Sequence, residues 1–360
     1  MIQSIHIQNF KSIENQVFDF KPLTILTGTN SAGKSSVIQA ILLYSHYTAR
    51  REENYKADSL QKYIDNLGDT KSLVSKNANN KEKVLICPTI NHNKGILLSF
   101  SDIGLLEVKK EQMIIFEQDL YFISANRIGQ ENQPRSSEIE KCGVNGEYIF
   151  GFYEQNKNIR LPNEKLIFKD KHNSIFNGES LSAQVGIWIS KILCLKLIPR
   201  TEKSSNTQSV ELMYENNDLD NFNISPFNLG AGVSYLTKIL ILGLSLKEGN
   251  ILIVENPEVH LHPKAISNFA EFFAFLAKGG VQVIIETHSE HIINKMRYFV
   301  FNKQISKDDI QIYYREKFDK PFDSIRINDK GKYINIDDEI IEFPAGFFDS
   351  DLDELLEMMW

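Results

Sequence analysis

Short apolar runs that end in polar or glycine-containing turns alternate along this chain with stretches of helical period. Leu23-Thr24-Ile25-Leu26 reads as a buried strand and Ser35–Leu43 as the helix after it. Ile251–Val254 is a second such strand; it ends in the acid Glu255 and runs through a turn to Pro263, which starts a helix. In that helix Ile266, Phe269, Ala270, Phe273, Leu276 and Ala277 recur at helical spacing, and Gly279-Gly280 ends it. Val281–Glu286 is a third strand, closed by the polar tip Thr287-His288-Ser289. Strand, acid, helix, strand and polar tip predict an α/β fold whose parallel strands point their ends at a phosphate site. A different rhythm occupies residues 51–125, where Lys83–Ile86, Gly95–Phe100 and Leu105–Lys109 alternate as an antiparallel β lobe. Residues 128–225 are rich in Asn, Lys and Glu, carry a helical segment near Leu181–Leu197, and read as a variable helical insertion. The second half of the site falls in 226–300, and residues 305–360 supply final strands and an acidic tail.

Between the first strand and helix stands Gly28-Thr29-Asn30-Ser31-Ala32-Gly33-Lys34-Ser35, which fits G-x-x-x-x-G-K-[ST]. Glycines let backbone N–H groups close around phosphates, a lysine reaches the β/γ oxygens, and the following hydroxyl can ligate Mg²⁺. Gly28, Asn30, Ser31, Ala32, Gly33, Lys34, Ser35 and Ser36 are therefore candidates for binding a nucleoside triphosphate, and Ser35 for holding its metal.

With these motifs in hand, the chain resembles the ATP-binding-cassette (ABC) head domains of the RecF/SMC-like class, and more narrowly the single-chain bacterial AAA ATPases related to OLD-family and Septu PtuA proteins. Ile5–Ile13 looks like that class's first strand, with Lys11 a candidate nucleotide contact. Asn228-Leu229-Gly230-Ala231-Gly232-Val233-Ser234 looks like a divergent signature loop ahead of a helix, Glu255 through Pro263 like a Walker B strand joined to its D-loop, and His288 like the switch histidine. Ile123-Ser124-Ala125-Asn126-Arg127 and Phe343–Asp349 also match a subfamily of these ATPases. The resemblance implies an ABC-ATPase head, a P-loop NTPase fold over residues 1–360 with a mixed central sheet, an antiparallel β lobe and a helical insertion. It implies ATP and Mg²⁺ as ligands, Glu255 as a metal residue, and a head-to-tail homodimer or higher homo-oligomer. In that dimer Gly230, Gly232 and Ser234 of one copy would face the nucleotide of the other. The usual signature serine is replaced by Gly230 if Leu229 aligns with the signature leucine, so Ser234 is not its strict equivalent.

One departure changes the expected chemistry. Where the class has Asp-Glu, this chain has Glu255-Asn256, and an amide cannot accept a proton at neutral pH. Slow ATP hydrolysis is expected, with Glu286, at the end of the neighbouring strand beside His288, as the favoured base and Glu258 as its competitor. The resemblance further implies regulation of an effector, such as a nuclease encoded nearby, in bacterial anti-phage defence; the competing reading is a RecF-like ATPase that binds DNA itself in repair or surveillance.

His260, His262, His288 and His291 admit a zinc or iron site, but that reading leaves the P-loop unexplained. Cys87, Cys142 and Cys194 form no C-x-x-C and are expected as buried thiols of a cytoplasmic protein. No stretch approaches the roughly 20 apolar residues of a membrane span, and Met1-Ile2-Gln3-Ser4 begins a strand rather than a signal peptide. Nor does a long heptad region mark the chain as a full SMC protein. Residues 337–360 hold nine acids and no Lys or Arg; without them the net charge of −7 becomes +2, so the body can still engage phosphates locally. Those acids interleave with Leu352, Leu355, Leu356, Met358, Met359 and Trp360, as in either a solvated final helix or a docking segment for a basic partner.

Overall fold

The computed structural model describes residues 1–48, 73–75, 83–94, 98–101, 104–107, 113–169, 178–205 and 208–344. It divides into two compact units, Met1–Phe116 with Met296–Trp360, and Glu117–Lys295. The first unit opens with β1 (Ile2–Phe10), which turns at Lys11-Ser12 into β2 (Ile13–Asp19). The chain passes through β3 (Leu23–Gly28) and α1 (Lys34–Thr48) and then returns as β4 (Val84–Ile90), antiparallel to β1. β5 (Asn93–Lys94), β6 (Leu98–Ser101) and β7 (Gly104–Glu107) extend this sheet on the β4 side. Along β4 every second residue is buried, the period expected when one face of a sheet is covered. The antiparallel lobe therefore reaches outside residues 51–125, because β1 and β2 are two of its strands.

In the second unit β8 (Leu120–Ile123) is followed by α2 (Ile149–Asn156), α3 (Leu181–Leu193) and the strands β9 (Leu197–Lys203), β10 (Val210–Asn216) and β11 (Phe222–Ile224). These three strands form their own antiparallel sheet, so residues 128–225 are helix and sheet together. The short alternating stretches that build the sheet are hidden in composition by Asn, Lys and Glu on its exposed positions. α3 packs Trp188 against Phe272 and Phe275, with ring centroids 5.0 and 4.9 Å apart. It stops at Cys194, whose φ of 57° is left-handed, and there the thiol is exposed rather than buried. Cys142 is buried and Cys87 half-buried.

α4 (Ala231–Leu244) is buried along nearly its whole length and takes Lys238 in with it, whose fully buried Nζ donates to the Ile128 carbonyl and pairs with Glu131, both at 2.9 Å. β12 (Ile251–Glu255) follows, then α5 (Pro263–Lys278), with His262 as its N-cap and Pro263 at its first position, and β13 (Gln282–Glu286). β12 lies parallel between β8 and β13, with Val254 opposite Ile123 and Glu255 opposite Glu286. All three strands are buried almost throughout, which is why they read as continuous apolar runs.

α6 (Glu290–Phe301) leads back to β14 (Ile310–Arg315), which runs parallel to β3 with Arg315 opposite Gly28. β15 (Asp323–Ile327) and β16 (Tyr333–Ile334) add antiparallel strands, so the fold is mixed α/β. Phe343 packs on Tyr314 and Tyr333. The acidic run starts in an ordered turn, where Asp338 accepts from Arg326 at 3.0 Å. Residues 345–360, including most of the expected tail, lie outside the described residues. No described helix is long and apolar enough to cross a membrane.

Candidate active site

The glycine-rich loop leaves β3 where a side chain has no room. Gly28 has φ +136°, and a Cβ there would lie 2.1 Å from the Arg315 carbonyl oxygen. Gly33 has φ +91°, and its Cβ would meet Ser12 Oγ at 2.2 Å and Arg315 Nη1 at 2.8 Å. Between them Thr29, Asn30 and Ser31 are exposed. Lys34, 3% exposed, bends back over this loop and donates to the carbonyls of Gly28 (3.2 Å) and Thr29 (2.8 Å). Ser35 and Ser36 form the first turn of α1, which has no acidic residue there to oppose an anion. Two glycines that admit no Cβ, a buried ammonium and a helix N-terminus make a cradle fit for phosphate. Lys11 sits on the flank of α1, its φ +51° and its ammonium donating to Gln39 Oε1 at 2.6 Å; burial lowers its pKa.

Arg315, for which no role was expected, backs the loop. Its guanidinium donates to Ser12 Oγ (2.9 Å), Ser12 O (2.7 Å), Phe318 O (2.6 Å) and Lys320 O (2.6 Å), while the Arg315 carbonyl accepts from Thr29 N at 3.2 Å. Burial lowers its pKa.

In the second unit the register of β8, β12 and β13 brings Ser124–Arg127, Asn256–Glu258 and Thr287–Ser289 off one sheet edge. The Ala125 N–H donates to Glu255 Oε2 at 3.0 Å. Arg127 donates to the carbonyls of Glu255 (2.9 Å), Asn256 (3.0 Å) and Ser124 (3.3 Å). Asn256 has φ +43° and its N–H donates to the Glu286 carbonyl at 2.7 Å. Glu258 Oε1 accepts from His288 N at 2.8 Å. Burial raises the pKa of both Glu255 and Glu258, and hydrogen bonds and the Arg127 charge oppose it only in part. Burial likewise pulls Arg127 down to about 10. The Glu286 side chain is buried in the strand end, while His288 is exposed.

Ahead of α4, Gln130 Nε2 donates to the Pro226 carbonyl at 2.9 Å and also to that of Leu229, fixing the entry to the loop. A Cβ on Gly232 would stand 2.4 Å from the His260 carbonyl oxygen, whereas one on Gly230 meets nothing within 4 Å. Ser234 does not line an exposed loop: one helical turn into α4 its hydroxyl faces inward beside Tyr214, at 1% exposure. That orientation counts against a phosphate contact in trans through this hydroxyl. His260 stacks on Tyr235, and His262 Nδ1 accepts from Lys264 N at 3.2 Å as the cap of α5.

This site matches known proteins along most of the chain. The family described as "AAA ATPase domain" matches residues 1–184, just over half of the sequence. The chain belongs to the AAA ATPase domain family. A second family, described as "AAA domain, putative AbiEii toxin, Type IV TA system", matches residues 104–294, so AAA ATPase sequence runs from the P-loop through Glu286 and His288. An ATP/GTP phosphatase of Helicobacter pylori is 33% identical over 111 residues, 29% of this chain and 29% of that protein. The Old nuclease of Escherichia phage P2 is 38% identical over 63 residues, 17% of this chain and 11% of that protein. The chain thus spans less than a third of the length of these curated relatives. An SMC head, solved bound to the C-winged helix domain of ScpA, superposes over 96% of this AAA ATPase and 98% of its own chain, with a TM-score of 0.56 and 12% identity, which establishes an SMC-head fold. The protein thus carries an AAA ATPase domain on an SMC-head fold.

Proposed function

We propose that this ATPase binds Mg-ATP at the Gly28–Ser36 loop, turns it over slowly, dimerises on nucleotide, and through its nucleotide state regulates a partner effector in anti-phage defence. The observation that carries slow turnover is Asn256. It stands where the class has its catalytic glutamate, an amide that cannot accept a proton at neutral pH, and its backbone is fixed at φ +43° with its carbonyl held by Arg127. Glu286 takes the role of base from the end of β13, with Glu258 as the competing carboxylate. The hydroxyl of Ser35 and the carboxylate of Glu255 are oxygen donors of the kind Mg²⁺ prefers. When bound, Mg²⁺ neutralises charge developing on the transferred phosphoryl group. Gly230 opens α4 onto free space and presents backbone rather than side chain there, suited to a phosphate of a second copy, with Gly232 behind it against the His260 carbonyl.

The type IV toxin–antitoxin description and the likeness to a phage Old nuclease support the defence setting.

The test combines turnover with mass. Glu286→Gln is expected to abolish residual hydrolysis and trap an ATP-bound species of twice the protomer mass by light scattering. Salt-dependent binding of duplex DNA by the isolated chain, with DNA-stimulated ATPase, would replace the effector reading with the RecF-like one.

A further inference from the structure

The turn that carries Glu255 and Asn256 is held by a single buried side chain. Arg127 is 2% exposed, and its guanidinium reaches the carbonyls of Ser124, beside it in sequence, and of Glu255 and Asn256, 128 and 129 positions away. The same group lies 4.8 Å over the ring of Tyr235 on α4, and that ring stacks on His260 at 5.4 Å with 23° between the planes. His260 is exposed and left-handed, at φ +62°, and its carbonyl occupies the space beside Gly232. Contacts therefore run without a break from an exposed histidine, through an aromatic ring on α4, to the backbone on both sides of the Glu255–Asn256 bond.

Arginine suits this task in a way lysine does not. Its planar fork serves several carbonyls at once while its face stacks on a ring, whereas an ammonium is a point charge that does one or the other. With the Glu255 and Asn256 carbonyls both held, the peptide between them is restrained, and so are the directions in which the two side chains leave the backbone.

We infer that Arg127 is a positioning residue for ATP hydrolysis, itself held in place by the face of the Tyr235 ring. This rests on Glu255 and Asn256 forming the hydrolytic end of the site.

The test uses the full chain with Mg-ATP and four readouts: kcat, KM, ATP affinity by calorimetry, and melting temperature. Arg127→Lys is expected to lower kcat about tenfold or more, with affinity within roughly twofold of wild type. Tyr235→Phe keeps the ring and should keep kcat; Tyr235→Leu removes it and should lower kcat severalfold. Because both act through one contact, Arg127→Lys with Tyr235→Leu should be no slower than Arg127→Lys alone. A folded Arg127→Lys protein with wild-type kcat, or losses that multiply in the double variant, would overturn the inference. If Arg127→Lys does not fold, Tyr235→Leu decides alone: reduced kcat at unchanged affinity supports it, and wild-type kcat overturns it. Glu255→Gln separates the two levels, since wild-type turnover there would remove the reading of the strand end itself.

Discussion

The carbonyls that hold the Lys34 ammonium belong to its own loop, Gly28 and Thr29, so the loop is arched and the charge fixed within it. Lys34→Ala should abolish ATP binding by calorimetry and leave the melting temperature near wild type; unchanged affinity would end the P-loop assignment. Gly33→Ala tests the arch itself, because the added methyl meets Ser12 Oγ and the Arg315 guanidinium at a φ that L-residues rarely adopt. A loss in ATP affinity of tenfold or more is expected, on the order of the 1–3 kcal/mol that such strain costs. Glu258 gives a pH signature. Its folded pKa is raised by burial, so it contributes stability below the ordinary carboxylate pKa that is lost as pH rises through the folded value. Glu258→Gln removes that loss and should melt about 1–3 °C above wild type at pH 8. Activity runs the other way, because a raised carboxyl that must be ionised shifts the acid limb of turnover to higher pH. If Glu286 is the base, that limb survives in Glu258→Gln, and its disappearance would move the role to Glu258. The P-loop residues were legible because their spacing is local. Arg127 was picked out only as part of a family-like stretch and Arg315 not at all, since each acquires its role from a strand register, Val254 against Ile123 and Gly28 against Arg315, that joins residues far apart in sequence.

At the scale of elements, the start of α4 offers a paired test. Gly232→Ser forces a side chain onto the His260 backbone and should lower the melting temperature by several degrees, roughly the effect of overpacking a tight contact in a domain of this size. Gly230→Ser enters open space at φ −60° and should fold as wild type. If this loop faces a second copy's nucleotide, the new hydroxyl should also tighten the ATP-bound dimer, and an unchanged dimer constant by sedimentation would count against that. Continuous apolar strands and a capped helix such as α5 could be read directly, because β12, β13 and α5 are specified by their own residues and punctuation. The antiparallel lobe was read only in part: β1 and β2 precede the P-loop, and pairing across some eighty residues leaves no local mark. Ser234 was misplaced for a related reason, since a helix starting at Ala231 turns that position inward.

For the whole molecule, charge is divided between a body of +2 and an acidic run at 337–360. Deleting Asp349–Trp360 should leave ATP binding intact, because no nucleotide motif lies there, and weaken association with a second copy or an effector. Light scattering on a sizing column decides it, and equal masses for truncated and full-length protein would exclude a role in assembly. Lys238 offers a way to watch the second unit from inside. Burial shields its amine and lowers its pKa, against the pull of its partner Glu131. An acylating reagent consumes the unprotonated form and reaches it only when α4 parts from the 128–131 segment. The rate at which Lys238 becomes modified, followed by mass spectrometry with and without ATP, is therefore a clock for the opening of α4, and nucleotide that tightens this unit should slow it.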